Sequence, residues 1–106
     1  MELKELDRLK KCSTEDDLIK IVQEIDDKVI FGGYDNEQVL SLVNELTNVN
    51  LLSVKYETRE EILHLLCDIL SYHGKFIEGN WKKIIDIKDK LEDDLKEYII
   101  EFVESR

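Results

Sequence analysis

The sequence of 106 residues contains no proline and no alanine, and it has only four glycines and two cysteines. Without proline, nothing forces a break into a helix. Cys12 and Cys67 form no CxxC pair or other metal-ligand spacing, so we expect two free thiols, with Cys67 in the core. No apolar run approaches the ~20 residues of a membrane span. These absences argue against a disulfide-bonded scaffold, a zinc-finger type of site and a transmembrane protein.

Positive charge is also scarce, with 15 Lys and Arg against 25 Asp and Glu and a formal net charge of −10. Nucleic acids and anionic membranes are bound through cationic surfaces, so neither is expected as a partner. An acidic surface suits a basic protein partner, although solubility alone is the simpler explanation. The N-terminus is charged and periodic and lacks the apolar block of a secretory signal. The sequence therefore predicts a soluble, cytoplasmic protein.

What the sequence has in abundance is leucine and isoleucine at helical spacing, and apolar residues make up 42 % of the chain. Apolar residues at steps of three and four predict amphipathic helices almost throughout. We expect an all-α, single compact domain over residues 1–106, built as an irregular bundle of about five helices. The first expected helix ends near Cys12. The other four run from Ser13 or Thr14 to Ile30, from Asp35 or Asn36 to Leu46, from Thr58 to Gly74, and from Trp81 to Glu104. Residues 47–57 are expected to form a loop and residues 75–80 a connector.

The ends of these helices carry recognisable signals. Ser13 or Thr14 offers a hydroxyl to free backbone N–H groups, and Gly32 and Gly33 stop the second helix because glycine readily adopts left-handed angles. Thr58, followed three residues later by Glu61, has the spacing of a capping box. These signals predict where the second and fourth helices begin.

Candidate catalytic and metal-binding patterns are incomplete. Glu61 and His64 place a carboxylate and an imidazole on adjacent turns, but a di-iron bundle needs a second such pair, and His73 has no carboxylate before it. A zinc site at His64 and Cys67 would need two further ligands. The sequence contains no phosphate-binding loop, nucleophile elbow or zinc-protease motif. We therefore predict no enzyme activity, no metal and no cofactor.

An acidic stripe follows the polar side of the fourth helix and comprises Glu57, Glu60, Glu61, His64 and Asp68. No Lys or Arg lies between Arg59 and Lys75 to offset these carboxylates. Like charges at this spacing repel by roughly 0.2–0.5 kcal/mol per pair. The stripe is either a partner-binding surface or a solvated face.

Four aromatic residues lie at or beside the predicted helix ends, and tyrosine and tryptophan next to charged residues are typical of interface hot spots. Each alone is more often a lid over the core, but their clustering at helix ends favours a contribution to binding. These residues are Tyr34, Tyr56, Tyr72 and Trp81.

The segment from Val39 to Leu70, a Leu-rich helix, a loop and TREEILHLLCDIL, resembles a HEAT-type helical repeat. Arg59 matches the arginine in the first turn of that repeat's second helix, whereas the loop is longer and lacks the usual proline and aspartate. In size, charge and helical pattern the chain also resembles the immunity proteins of bacterial polymorphic-toxin systems. That resemblance implies occlusion of a cognate toxin domain, often a basic nuclease, by acidic side chains and aromatic anchors.

Two other classes of function stay open. A small helical adaptor or regulatory protein would use the last helix as a homodimer seam, through Ile84, Leu91, Leu95, Tyr98 and Phe102. An enzyme would need a deep pocket that holds His64 or His73 beside a carboxylate.

Overall fold

The computed structural model of the chain describes residues 4–73 and 81–104, with side chains described at 4–73 and 83–100. All regular structure in these residues is helical, which confirms the predicted all-α class. The helices are α1 (Lys4–Lys11), α2 (Glu15–Ile30), α3 (Asn36–Leu46), α4 (Tyr56–His73), α5 (Trp81–Ile85) and α6 (Asp93–Glu104), with a 3₁₀ turn at Lys88–Lys90.

The packing of α2 against α4 is the most extensive helix contact in the described chain. Glu15, at the start of α2, bonds to the start of α4, and Asp26, near its end, lies beside His64. The two helices therefore run in the same direction. α1 packs against α2 and α3, and both α3 and α6 pack against α4.

One apolar core contains buried side chains from all six helices of the described residues. The predicted stripes of α2 and α4 are buried at every position, and each fully buried Leu or Ile side chain contributes about 1.5–3 kcal/mol. Cys67 is buried, as predicted, and Cys12 is half-buried. The largest fully buried side chains are Ile25, Leu42, Leu46, Leu51, Ile62, Leu63, Leu65, Leu66, Ile69 and Ile84.

Local capping explains the ends of α2 and α3. The Thr14 hydroxyl accepts from the Asp17 backbone N–H, and Asp35 forms a capping box with Gln38. α2 ends at a turn in which Gly32 has a φ of 74°, a left-handed conformation that favours glycine. These boundaries and the predicted loop between α3 and α4 are confirmed.

The start of α4 differs from the prediction, because the helix begins at Tyr56 rather than at Thr58. Thr58 is fully buried in the first turn, and its hydroxyl donates to Glu15 Oε1 at 2.8 Å. The same Glu15 oxygen accepts from the Lys55 backbone N–H at 2.8 Å. A carboxylate from α2 therefore caps α4 in place of the predicted capping box.

The predicted long C-terminal helix is also wrong, since the chain breaks between α5 and α6. At the break Leu91 is extended and buried, and the Arg59 guanidinium holds the neighbouring Glu92 carboxylate. Arg59 also donates to the carbonyl oxygens of Leu51 and Val54, so it ties the α3–α4 loop to this break. The sequence at the break contains no proline or glycine. We attribute the break to the burial of Leu91 and to the contact of Arg59 with Glu92.

Several predicted features lie outside the described residues. These are the end of the fourth helix at Gly74, the connector at 75–80 and the side chains of Trp81 and Phe102.

Candidate functional site

The structure places the predicted acidic stripe on the solvent side of α4. Glu57 and His64 are exposed, whereas Glu60, Glu61 and Asp68 are half-buried. Residues four apart lie on successive turns of the same helix side. The positions from 56 to 72 at steps of four place Tyr56 and Tyr72 at the two ends of this series, and both tyrosines are exposed. The stripe therefore lies on the solvent side of α4. Tyr56 and Tyr72 are sixteen residues apart, and at about 100° per residue they lie on opposite flanks of the helix.

Helix α6 adds two carboxylates to this surface. Glu60, Asp94, Glu97 and Tyr98 line a cleft of about 300 Å³ between α4 and α6. Asp94 and Glu97 were not among the predicted site residues, because the sequence pattern places them inside one long helix with charges of both signs. The pair Asp93–Asp94 was the available signal, since carboxylates favour the first turn of a helix. We name Glu57, Glu60, Glu61, Asp94 and Glu97 together the acidic face.

Tyr56 joins the two helices at the mouth of this cleft. Its hydroxyl lies within hydrogen-bond distance of the carboxylates of both Asp94 and Glu60. The hydrogen bond to Asp94, desolvation and the charges of Asp94 and Glu60 raise the pKa of Tyr56 above its ordinary value. The phenol therefore stays protonated and acts as a donor between two carboxylates.

Among the described side chains, no Lys or Arg lies within ion-pair distance of any carboxylate of the acidic face. Other acids of the chain do have cations, for example Glu24 with Arg8 and Glu92 with Arg59. The Tyr56 hydroxyl is the partner of Glu60 and Asp94. The acidic face is therefore available to a cation from outside the described chain.

Asp68 and His64 have a third neighbour, Asp26 of α2, which the sequence analysis did not identify. His64 Nδ1 lies 3.4 Å from Asp26 Oδ2 and 3.8 Å from Asp68 Oδ2. Each residue offers one ligand atom, and the three atoms lie within 4.8 Å of one another. We name these three residues the Asp26 cluster. Its members come from two helices whose contact no sequence spacing reveals.

The environment of Asp26 is unfavourable to a charged carboxylate. Desolvation is the main cause that raises its pKa to about 7, followed by its contact with Asp68, while His64 acts in the opposite direction. Asp26 Oδ1 and Asp68 Oδ2 are buried and have no hydrogen-bond partner among the described residues. A protonated Asp26 carboxyl can donate a hydrogen bond to Asp68, but when both groups are ionised they are both acceptors and neither satisfies the other.

Tyr34 does not belong to any exposed surface, and its predicted role as an exposed anchor is wrong. It is only 7 % exposed and packs in the core, with Lys28 Nζ 5.8 Å from its ring centroid. Burial and the charge of nearby Glu5 raise the pKa of Tyr34. Phe31, which the sequence analysis did not select, is instead 86 % exposed beside the Gly32 turn.

The two histidines differ in their surroundings. His64 lies beside carboxylates but is half-exposed, and its ring meets the Tyr98 ring edge-on at 6.4 Å between centroids. His73 Nδ1 is 2.7 Å from Asn36 Oδ1, at the opposite end of α4 from Tyr56. Of the two histidines, His64 is therefore the one whose imidazole lies beside carboxylates and could take part in ligand binding.

No known protein family, curated protein or solved structure matches this chain. Among the described residues, none of the helices has the length and apolar character needed to cross a membrane.

Proposed function

We propose that this chain is a protein-binding module that occludes a cationic partner protein through its acidic face. The observation that supports this function is the set of carboxylates on α4 and α6 around one cleft, none of them paired with a Lys or Arg of the described chain. A cleft of about 300 Å³ with three acidic side chains accommodates one Lys or Arg side chain of a partner. Tyr56 supplies apolar contact area beside this cleft, and Tyr72 is a second exposed aromatic residue on the opposite flank of α4.

Electrostatics gives this face a kinetic role. Complementary charge raises association rates by 10-fold to 1,000-fold at low ionic strength, and the effect falls steeply with salt. A formal net charge of −10 adds a long-range attraction to any basic domain. The affinity itself depends on the buried centre of the interface, for which a typical protein complex uses about 800 Å² per partner.

The specific form of the proposal is a cytoplasmic immunity protein that neutralises a bacterial toxin, with α3 and α4 as a HEAT-like pair. The resemblance in size, charge and helical pattern suggests this form, and the acidic face fits it, because a basic nuclease exposes Lys and Arg where its substrate phosphates bind. Carboxylates would then occupy the positions of phosphates and block the substrate groove.

The alternative proposal is a small helical adaptor or regulatory protein, with a homodimer seam on the last helices as one form of it. Of the residues named for that seam, Ile84, Leu91 and Leu95 are at most 5 % exposed and belong to the core. Tyr98 is half-buried, and the side chain of Phe102 lies outside the described residues.

The test uses the C-terminal domain of the protein encoded directly upstream of this chain. We expect that domain to be basic, to arrest growth when it is expressed alone and to be tolerated when this chain is co-expressed. The variant Glu60→Lys with Asp94→Lys should slow association at low salt at least about tenfold. It should retain the helical circular-dichroism signal.

The matched control is Glu37→Lys with Glu45→Lys on α3, which changes the net charge by the same amount. Neither residue has an ion-pair partner among the described residues. This control should associate at nearly the wild-type rate. Equal slowing by both variants, or by neither, would show that the acidic face is only a solvated surface.

A further inference from the structure

The Asp26 cluster has the composition of a transition-metal site. One imidazole nitrogen and two carboxylate oxygens suit Zn²⁺ and similar divalent first-row ions, whereas Mg²⁺ and Ca²⁺ prefer oxygen ligands alone. Among the described residues, this is the place where three His, Cys, Asp or Glu side chains converge. The cluster differs from an ordinary acidic patch because it contains an imidazole and because its ligands come from two packed helices.

The distances from His64 to the two carboxylates fit a metal site better than they fit hydrogen bonds, and the three ligand atoms lie within 4.8 Å of one another. Tetrahedral zinc with bonds of about 2.0–2.1 Å holds neighbouring ligand atoms roughly 3.3 Å apart. His64 Nδ1 is 3.4 Å from Asp26 Oδ2 and 3.8 Å from Asp68 Oδ2. Hydrogen bonds between nitrogen and oxygen are shorter, at about 2.7–3.2 Å. A small closing movement of side chains would complete the coordination geometry.

Two buried oxygen atoms provide an independent reason for a cation here. Asp26 Oδ1 and Asp68 Oδ2 are inaccessible to solvent and have no donor among the described residues. The Asp26 side chain is 15 % exposed and that of Asp68 is 23 % exposed. Buried polar atoms normally have a partner, and an exception calls for an explanation such as a bound ion. A divalent cation would satisfy Asp68 Oδ2 directly, and it would also satisfy Asp26 Oδ1 if Asp26 binds through both of its oxygens.

The helices also hold the ligands in place. His64 and Asp68 are four residues apart on α4, and Asp26 approaches them from α2, the helix with which α4 has its most extensive contact. The Tyr98 ring lies edge-on to the His64 ring, with 6.4 Å between the centroids. Ligands on packed helices are positioned more precisely than ligands on loops.

We propose that Asp26, His64 and Asp68 bind one divalent transition-metal ion of the Zn²⁺ class at the contact between α2 and α4. Three protein ligands leave one tetrahedral position for a water molecule or another small ligand. Metal binding is independent of the proposed docking of a cationic protein, since the carboxylates of the acidic face are not ligands.

The experiment uses the full chain after removal of metals with a chelator. Calorimetric titration with Zn²⁺ should show one site per chain, and Co²⁺ should give the visible absorption bands of a low-symmetry tetrahedral site. Zn²⁺ at a hundredfold excess over Kd should raise the Tm by at least about 5 °C, because it binds only the folded chain.

The variants His64→Gln and Asp26→Asn should each weaken Zn²⁺ binding at least about tenfold, which is the lower limit seen for loss of supporting groups around a metal. Asp68→Asn is a third ligand variant, to be used if either of the others loses its helical signal. The controls are His73→Gln and Cys12→Ser, which change the other histidine and the half-buried thiol. Both controls should bind Zn²⁺ like the wild type.

Absence of Zn²⁺ binding at millimolar concentration would overturn the proposal, and so would equal binding by the wild type and His64→Gln. The variant Glu60→Lys with Asp94→Lys separates the two functions. It should lose fast association with a basic partner and still bind Zn²⁺, so failure of one proposal does not imply failure of the other.

Discussion

Glu15 and Asp26 lie on the same helix and both face α4, but their carboxylates have opposite environments. Glu15 accepts from the Lys55 backbone N–H and from the Thr58 hydroxyl, and these two hydrogen bonds lower its pKa. Asp26 faces a second carboxylate, and desolvation raises its pKa. The Glu15 carboxylate caps α4, whereas the Asp26 carboxylate has an oxygen, Oδ1, without a hydrogen-bond partner among the described residues.

The difference shows that the partners of a carboxylate decide its role. A carboxylate that accepts from backbone and hydroxyl donors stabilises a helix end, because those donors would otherwise lack a partner. A desolvated carboxylate beside other acceptors destabilises the fold unless a proton or a cation binds. Such strained groups are concentrated at functional sites.

The largest expected effect comes from Asp26→Asn in the metal-free protein. The folded state binds the Asp26 proton more tightly than the unfolded state does, because the pKa is about 7 in the folded chain against an ordinary value of 3.8. The free energy of unfolding contributed by this group therefore falls as pH rises from about 4 to about 7. At pH 8 the variant should be more stable than the wild type by about 1–2 kcal/mol.

Urea unfolding at pH 8 and pH 5 with a chelator present measures this effect. Near pH 5 the wild-type carboxyl is already protonated, so most of the difference should disappear. The control Asp27→Asn removes the charge of the exposed neighbour, which is the smallest of the causes that raise the pKa of Asp26, and its effect at pH 8 should be much smaller than that of Asp26→Asn. An advantage of Asp26→Asn that is equal at both pH values would contradict the assigned environment.

A smaller effect of opposite sign is expected at the other end of the helix pair. Thr58→Val keeps the shape of a fully buried side chain but removes the donor to Glu15, which should cost about 1 kcal/mol. Thermal and urea unfolding measure the loss. Thr47→Val is the matched control, because Thr47 is also buried but donates only to a nearby carbonyl at 3.3 Å. If the two variants are equally stable, the hydrogen bond from Thr58 to Glu15 does not stabilise the start of α4.

Local signals in the sequence were sufficient for most of the fold. Leucine and isoleucine spacing predicts the buried sides of α2, α3 and α4, and Thr14 and Asp35 define the starts of α2 and α3. The errors arise where distant residues act. Glu15 moves the start of α4 to Tyr56, and the contact of Arg59 with Glu92 lies at the break before α6.

The candidate site was predictable only along a single helix. Periodicity places Glu60, His64 and Asp68 on one side of α4, because residues four apart share a helix side. Their neighbours in the site, Asp26 and Asp94, come from other helices. The spacing of residues in one sequence contains no information on which helices pack together. Tyr34 was misplaced for the same reason, since burial depends on a neighbouring helix.

The most direct test of this account is an NMR titration of the side-chain carboxyl carbons in the metal-free protein. The account predicts that Asp26 titrates near pH 7 and that Glu15 titrates below the ordinary range of a glutamate. An Asp26 carboxyl that titrates near pH 4, together with an ordinary Glu15, would contradict the contrast between the two ends of the helix pair.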